Sequence, residues 1–191
     1  EKHNVLWACA SPLLQMENFD STARSAIFKY ELATGKQLAK FEMPAGTHSA
    51  FGDMILNKKG EAYISDSETN TIFMINETSK AIEPYFMSDE IWSLQGITFS
   101  DDDRYLFIAD YIKGIFRLDT KTKELLLLEN NVTTSLKAVD GLRWYRHSLV
   151  AIQNSTNPMK VSRYTLNADM TAVTGEHIID RAHPAFNEPT N

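Results

Sequence analysis

Three short stretches set an oxygen-bearing side chain in front of an apolar, β-rich run. They are "GDMIL" with Asp53, "QGITF" with Gln95 and "VDGLRW" with Asp140. Carboxylate and amide oxygens are hard donors. Converging on one point they suit Ca²⁺, Mg²⁺ or Mn²⁺, and a carboxylate held there can also take a proton as a general base. Their spacing makes them a set: Gly96 follows Asp53 by 43 residues, and Gly141 follows Gly96 by 45. A near-constant period marks a structural repeat, which brings equivalent positions to one place.

The elements that must position these residues are strands. In the cleanest unit, "GITFS", "YLFIAD", "IFRLDT" and "LLLLEN" are separated by the polar turns "DDDR", "YIKG" and "KTKE". Asp66, Asp110 and Asn154 close the second strands of three units at intervals of 44 and 44. Phe28, Phe73 and Phe116 hold one third-strand position at intervals of 45 and 43. Four antiparallel strands in about 44 residues is the pattern of a β-propeller blade, so the expected class is an all-β propeller. The blades run approximately over residues 1–45, 46–92, 93–137 and 138–182, with another beginning at 183–191. The first unit shows three strands only. The expectation is a single propeller domain or a fragment of one, with further blade material flanking "VLWACA" and "NEPTN".

Antiparallel order then assigns faces. Starts of first strands and ends of second strands lie on the same side of a blade. That face collects Asp53, Gln95, Asp140, Asp66, Asp110 and Asn154, and it receives the inter-blade links that carry His48 and Trp92. The long loop 11–25 lands there too, and extra loop length on one face marks a binding side. His48, Trp92 and Asn154 are therefore ligand-binding candidates beside the metal candidates Asp140, Gln95 and Asp53. Plainer duties compete. Asp140 before a glycine can simply shape a turn, and Asp66, Asp110 and Asn154 recur in every unit, as turn-capping residues do. His3, His147, His177 and His183 form no metal-ligand spacing. Cys9, alone in the chain, sits within an apolar strand and is expected to be a core thiol.

Composition narrows the partners. The chain of 191 residues carries 19 basic and 25 acidic side chains, a net charge of −6, with no basic run. That argues against nucleic acid and anionic membrane surfaces. No apolar stretch approaches the roughly 20 residues needed to span a bilayer, so no membrane insertion is expected.

"QGITFSDDDRYLFIADYIKGIFRLD" resembles a blade of the senescence-marker-protein/gluconolactonase/luciferin-regenerating-enzyme family. "VDGLRW" is similar to that family's following "DG" motif, and "FGDMILNKKGEAYISDS" to its preceding "ND" blade. The resemblance runs through residues 50–167. It implies a six-bladed propeller with a divalent metal in its channel, a metal-dependent lactone or ester hydrolase activity, and an exported or periplasmic protein. Carried over, Asp140 falls on the aspartate of "DG", as metal ligand and catalytic base. Gln95 stands where the family has asparagine, and Gly52 stands where it has another, leaving only Asp53 next to it. The fourth ligand, a glutamate, has no counterpart in these residues. Two functions stay open: a metal-dependent hydrolase acting through Asp140, or a non-catalytic propeller that binds a small molecule or, as NHL-like propellers do, a protein.

Overall fold

Sixteen strands and no helix make up the described residues, 4–190, of the computed structural model. His3 lies outside them. The first sheet holds β1 (Val5–Ala10), β2 (Ala26–Glu31) and β3 (Gln37–Glu42) in chain order. The second holds β4 (Phe51–Leu56), β5 (Ala62–Asp66), β6 (Thr71–Asn76) and β7 (Ala81–Met87). The third holds β8 (Leu94–Phe99), β9 (Tyr105–Asp110), β10 (Gly114–Asp119) and β11 (Leu125–Leu127). In the fourth, β13 (Val139–Trp144), β14 (Ser148–Gln153), β15 (Lys160–Leu166) and β16 (Ala172–Arg181) pair in sequence, and β12 (Glu129–Asn130) joins the outer edge. All pairings are antiparallel except β12 with β16.

The core lies between the sheets. Ile27, Phe41, Ile64 and Phe73 fill the first gap; Tyr63, Ile72, Ile97 and Leu106 the second; Phe107, Ile115, Leu142 and Tyr164 the third. A middle strand is thus covered on both faces, which is why β5 and β9 read as near-continuous buried runs. Equivalent residues of successive sheets meet neighbours of the same kind, and the Phe73 and Phe116 column is buried in both.

Side-chain chemistry shapes the turns. Asp66 accepts from the main-chain N–H groups of Ala50 (3.1 Å) and Glu68 (2.9 Å) and from the Ser49 hydroxyl. Asp110 accepts from the N–H groups of Trp92 (2.7 Å), Ile112 and Lys113 (2.9 Å each). Both are fully buried. Each fastens the incoming link of its own blade while forming the turn that follows it, which is the capping duty read from their recurrence.

Two details correct the sequence reading. The run "LLLLEN" is not one strand. Buried Leu128 packs into the core shared with the fourth sheet and turns the chain, so that Glu129–Asn130 leaves β11 and pairs in parallel with Ala172–Val173 of β16. The repeat is also in a different register from the one that matched Gly96 with Gly141. Ladder partners equate Met54, Ile97 and Gly141, opposite Ile64, Ile108 and Ile152. The residue just before each is then Asp53, Gly96 or Asp140.

At that point every first strand carries a one-residue bulge, between Phe51 and Met54, Leu94 and Ile97, and Val139 and Gly141. A bulge bends the strand and re-aims its side chains. Here it lets neighbouring first strands approach so closely that only glycine fits. A Cβ on Gly96 would lie 2.4 Å from Leu142 N and 2.7 Å from Asp140 O, and one on Gly52 would lie 2.7 Å from Leu94 O. Because the obstacles are backbone atoms, Gly96→Ala should lower unfolding free energy by about 3 kcal/mol in urea titrations. Gly175→Ala, whose Cβ would meet nothing nearer than 3.6 Å, should stay within about 1 kcal/mol of the native chain.

Candidate functional site

The first strands β4, β8 and β13 lie side by side, so their bulges stack into one wall. Small hydroxyls sew it together. Ser65 Oγ accepts from Asp53 N (2.9 Å) and donates to Gln95 O (2.6 Å); Thr98 Oγ1 accepts from Trp144 N (3.0 Å).

On this wall Asp53 is enclosed by donors. Its Oδ1 accepts from Met54 N at 2.7 Å and its Oδ2 from Ile97 N at 3.0 Å. The Arg143 guanidinium then reaches over β8 from β13. Its Nη1 lies 2.6 Å from Oδ2 and its Nη2 3.2 Å from Oδ1, a two-pronged pair joining the second and fourth sheets. Nη1 also faces Leu142 O at 2.8 Å and Ile97 O at 3.3 Å. The Asp53 side chain is 9% exposed and that of Arg143 43%, so the carboxylate is desolvated while the cation keeps contact with water.

Asp140 occupies the equivalent position two sheets on. Its Oδ2 accepts from Asn154 Nδ2 at 2.6 Å, and Asn154 Oδ1 in turn accepts from Tyr111 OH at 2.7 Å. Tyr111 OH also contacts Ser155 Oγ. Burial pushes the Asp140 carboxyl above its ordinary value; the Asn154 amide opposes this, and the nearby Asp53 charge adds to the rise. Asn154 therefore does not cap its turn as Asp66 and Asp110 do. It orients Asp140.

Structure thus brings Asp53, Asp140 and Asn154 to one wall. The half-buried Gln95 joins them through its backbone carbonyl, which Ser65 holds. His48 and Trp92 stand apart. Exposed His48 lines a cavity of about 370 Å³ between loop 11–25 and the link before β4, together with Phe19, Thr22 and Arg24. Trp92 is 56% exposed; its Nε1 donates to Asp89 O at 3.0 Å and Lys113 Nζ lies 5.1 Å from its ring centre. A second cavity of about 360 Å³, lined by Arg143, Trp144, Thr98, Ile55 and Asp101, opens toward the turn-bearing ends of the first strands.

The arrangement is one that solved structures share. A chain of Kuenenia stuttgartiensis hydrazine synthase superposes with a TM-score of 0.61 at 14% identity, over 81% of this chain and 43% of that one. A chain of the nidogen/laminin complex does so with 0.65 at 12%, over 93% and 62%. The Neurospora crassa Pan2 WD40 domain gives 0.59 at 12%, over 91% and 46%. The fold is a β-propeller. The chain spans less than two thirds of the length of each of these relatives. No family model matches it, and no curated protein matches it. No helix among the described residues of this propeller is long and apolar enough to cross a membrane.

Sequence reasoning missed Arg143, although a signal was present. Its ladder equivalents in the preceding blades are Leu56 and Phe99. One arginine in an apolar column needs an acid, and Asp53 is that acid.

Cys9 is a further correction. Its equivalents Ser65, Ala109 and Gln153 are all fully buried, because β4, β8 or β13 covers the strand that bears them. Among the described residues β1 pairs with β2 alone, so water reaches Cys9. The thiol is nevertheless crowded by chain, and this desolvation, with the Asp53 charge adding to it, pushes its pKa from 9.0 to about 12. A raised thiol pKa means less thiolate. At pH 8 Cys9 should react with iodoacetamide clearly more slowly than an unperturbed thiol, and the rate should keep rising beyond pH 10. Alkylation at the ordinary rate would show that burial does not hold the proton.

Proposed function

We propose that this is a non-catalytic binding propeller of gluconolactonase-like descent, whose channel wall receives a small polar ligand and whose resident cation is Arg143 rather than a metal. The occupied state of Asp53 carries the reading. Both of its oxygens already accept from Arg143 and from main-chain amides, which leaves a divalent ion no carboxylate edge there. Gly52 contributes no side chain at the next candidate position. Among the described residues no group of three or more His, Cys, Asp or Glu converges as a metal would require. This donor set is a poor fit for a resident divalent ion, and in the proposed reading Asp140 acts by hydrogen bonding rather than by activating a metal-bound water.

What remains suits recognition. Asp140, oriented by Asn154 and Tyr111, offers an acceptor edge, or a donor when protonated. The exposed side of Arg143 offers charged N–H groups. A compact molecule with hydroxyl and acidic groups is complementary to such a wall. The second reading, an active divalent-metal lactonase with Asp140 as ligand and base, rests on the same residues and calls for Gln95 and Asp53 as co-ligands. An exported or periplasmic setting, taken from the gluconolactonase resemblance, belongs to either reading.

Calorimetry with Ca²⁺ and Mn²⁺, run beside a gluconolactone hydrolysis assay, separates them. The expected result is no heat of binding up to millimolar ion and no turnover above the uncatalysed rate. Micromolar binding with turnover that Asp140→Asn abolishes would establish the hydrolase instead.

A further inference from the structure

The fourth sheet bears a polar hollow of its own, away from the first-strand wall. It is a cavity of about 360 Å³ among the loop joining β14 to β15, the link before β13 and the end of β16. Ladder register decides what faces it. Lys160 pairs with Arg181, Ser162 with Ile178 and Tyr164 with Glu176, so these side chains share one side of the sheet. Two cations are therefore opposed directly across adjacent strands, an arrangement that repels. Lys160, 9% exposed, gives one proton to Glu176 Oε1 at 2.7 Å and another to Thr134 Oγ1 at 2.5 Å. Its third proton has no acceptor among the described residues, and the side chain lines the cavity. Exposed Arg181, also on the lining, has no ion-pair partner among them. Glu176 Oε1 accepts twice, from Lys160 and from Ser162 Oγ at 2.7 Å, while Oε2 accepts from no described group. The cavity thus presents unfilled cationic donors and an unfilled carboxylate oxygen, beside the apolar surfaces of Ile178 and Pro158.

We propose that this cavity is a binding site for a small α-amino acid with an apolar side chain, separate from the channel. It goes beyond the channel reading and does not rest on it. The ligand carboxylate bridges Lys160 and Arg181 and removes their repulsion; its ammonium meets Glu176 Oε2; its side chain lies against Ile178 and Pro158. Charge selects this class over simpler ones. A doubly charged oxyanion would satisfy both cations but be repelled by the open edge of Glu176. An amine without a carboxylate would meet two cations for one acid. A zwitterion matches both signs, and its charge-assisted hydrogen bonds are strengthened where Lys160 is desolvated. The volume lies at the small end of the roughly 300–1,000 Å³ that ligand pockets span, as a single amino acid requires.

The test is calorimetric titration of the native chain with L-leucine, 4-methylpentanoate (which lacks the ammonium), 3-methylbutylamine (which lacks the carboxylate) and inorganic phosphate. L-leucine should bind with a Kd of about 1 mM or tighter, and each of the others at least roughly tenfold more weakly. Arg181→Gln, at an exposed and unpaired side chain, should keep the native melting temperature and weaken L-leucine at least roughly tenfold. Arg181→Lys, which keeps the charge, should retain most of the affinity, and Asp140→Asn should retain all of it. Absence of L-leucine binding up to about 10 mM overturns the proposal, as does undiminished affinity in Arg181→Gln. Equal binding of 4-methylpentanoate, or binding of phosphate alone, overturns the amino-acid assignment. Loss of L-leucine binding in Asp140→Asn would move the ligand to the channel wall, which removes this site and leaves the channel reading standing.

Discussion

A repeat that stacks its first strands into one wall also stacks whatever those strands carry at equal register. In this propeller the constraint falls on two carboxylates. Asp53 and Asp140 hold the same position two blades apart, with Gly96 between them. Like charges forced together must be protonated, hydrated or neutralised. The first strands approach so closely there that at Gly52 and Gly96 even a methyl group would strike backbone. The two are met differently: Arg143 covers Asp53, while Asp140 accepts from Asn154, and its burial raises its carboxyl above the ordinary value against that hydrogen bond. The bulges, the inter-blade hydroxyls of Ser65 and Thr98 and the long reach of Arg143 all serve that one crowded level.

Much of the fold was legible in the sequence because it is written locally and repeated. Alternating apolar runs, short polar turns and the Asp66 and Asp110 column each depend on residues within a single blade, and each recurs about 44 residues on. Register at the bulges was less legible. One extra residue per first strand shifts an alignment drawn through glycines, so Gly141 matched Gly96 in the sequence while Asp140 matches it in space. The break at Leu128 was hidden for a similar reason. A run of four leucines reads as one strand, and only the core shared with the fourth sheet shows where the chain must turn.

The site was half legible. Asp53, Asp140 and Asn154 meet because the repeat brings them together. His48 and Trp92 share the face by topology, but each is bound up with its own link or cavity. The decisive interaction joins residues 90 positions apart on different blades, and no period predicts it. It shows in the sequence only as a break in a pattern, an arginine where Leu56 and Phe99 stand in other blades. Departures from a repeat are where its function is best sought, since the regular positions are already committed to packing.

Arg143 and Asp53 act as one unit across the intervening blade. A double-mutant cycle of Arg143→Met, Asp53→Asn and the combined variant measures this directly by urea unfolding. The Arg143 side chain is 43% exposed, so solvent screening limits the pair to a coupling of about 1–2 kcal/mol. A coupling in that range is expected, with the double variant more stable than the sum of the single losses implies. Strictly additive losses would mean that the two side chains stabilise the propeller independently, and would contradict it.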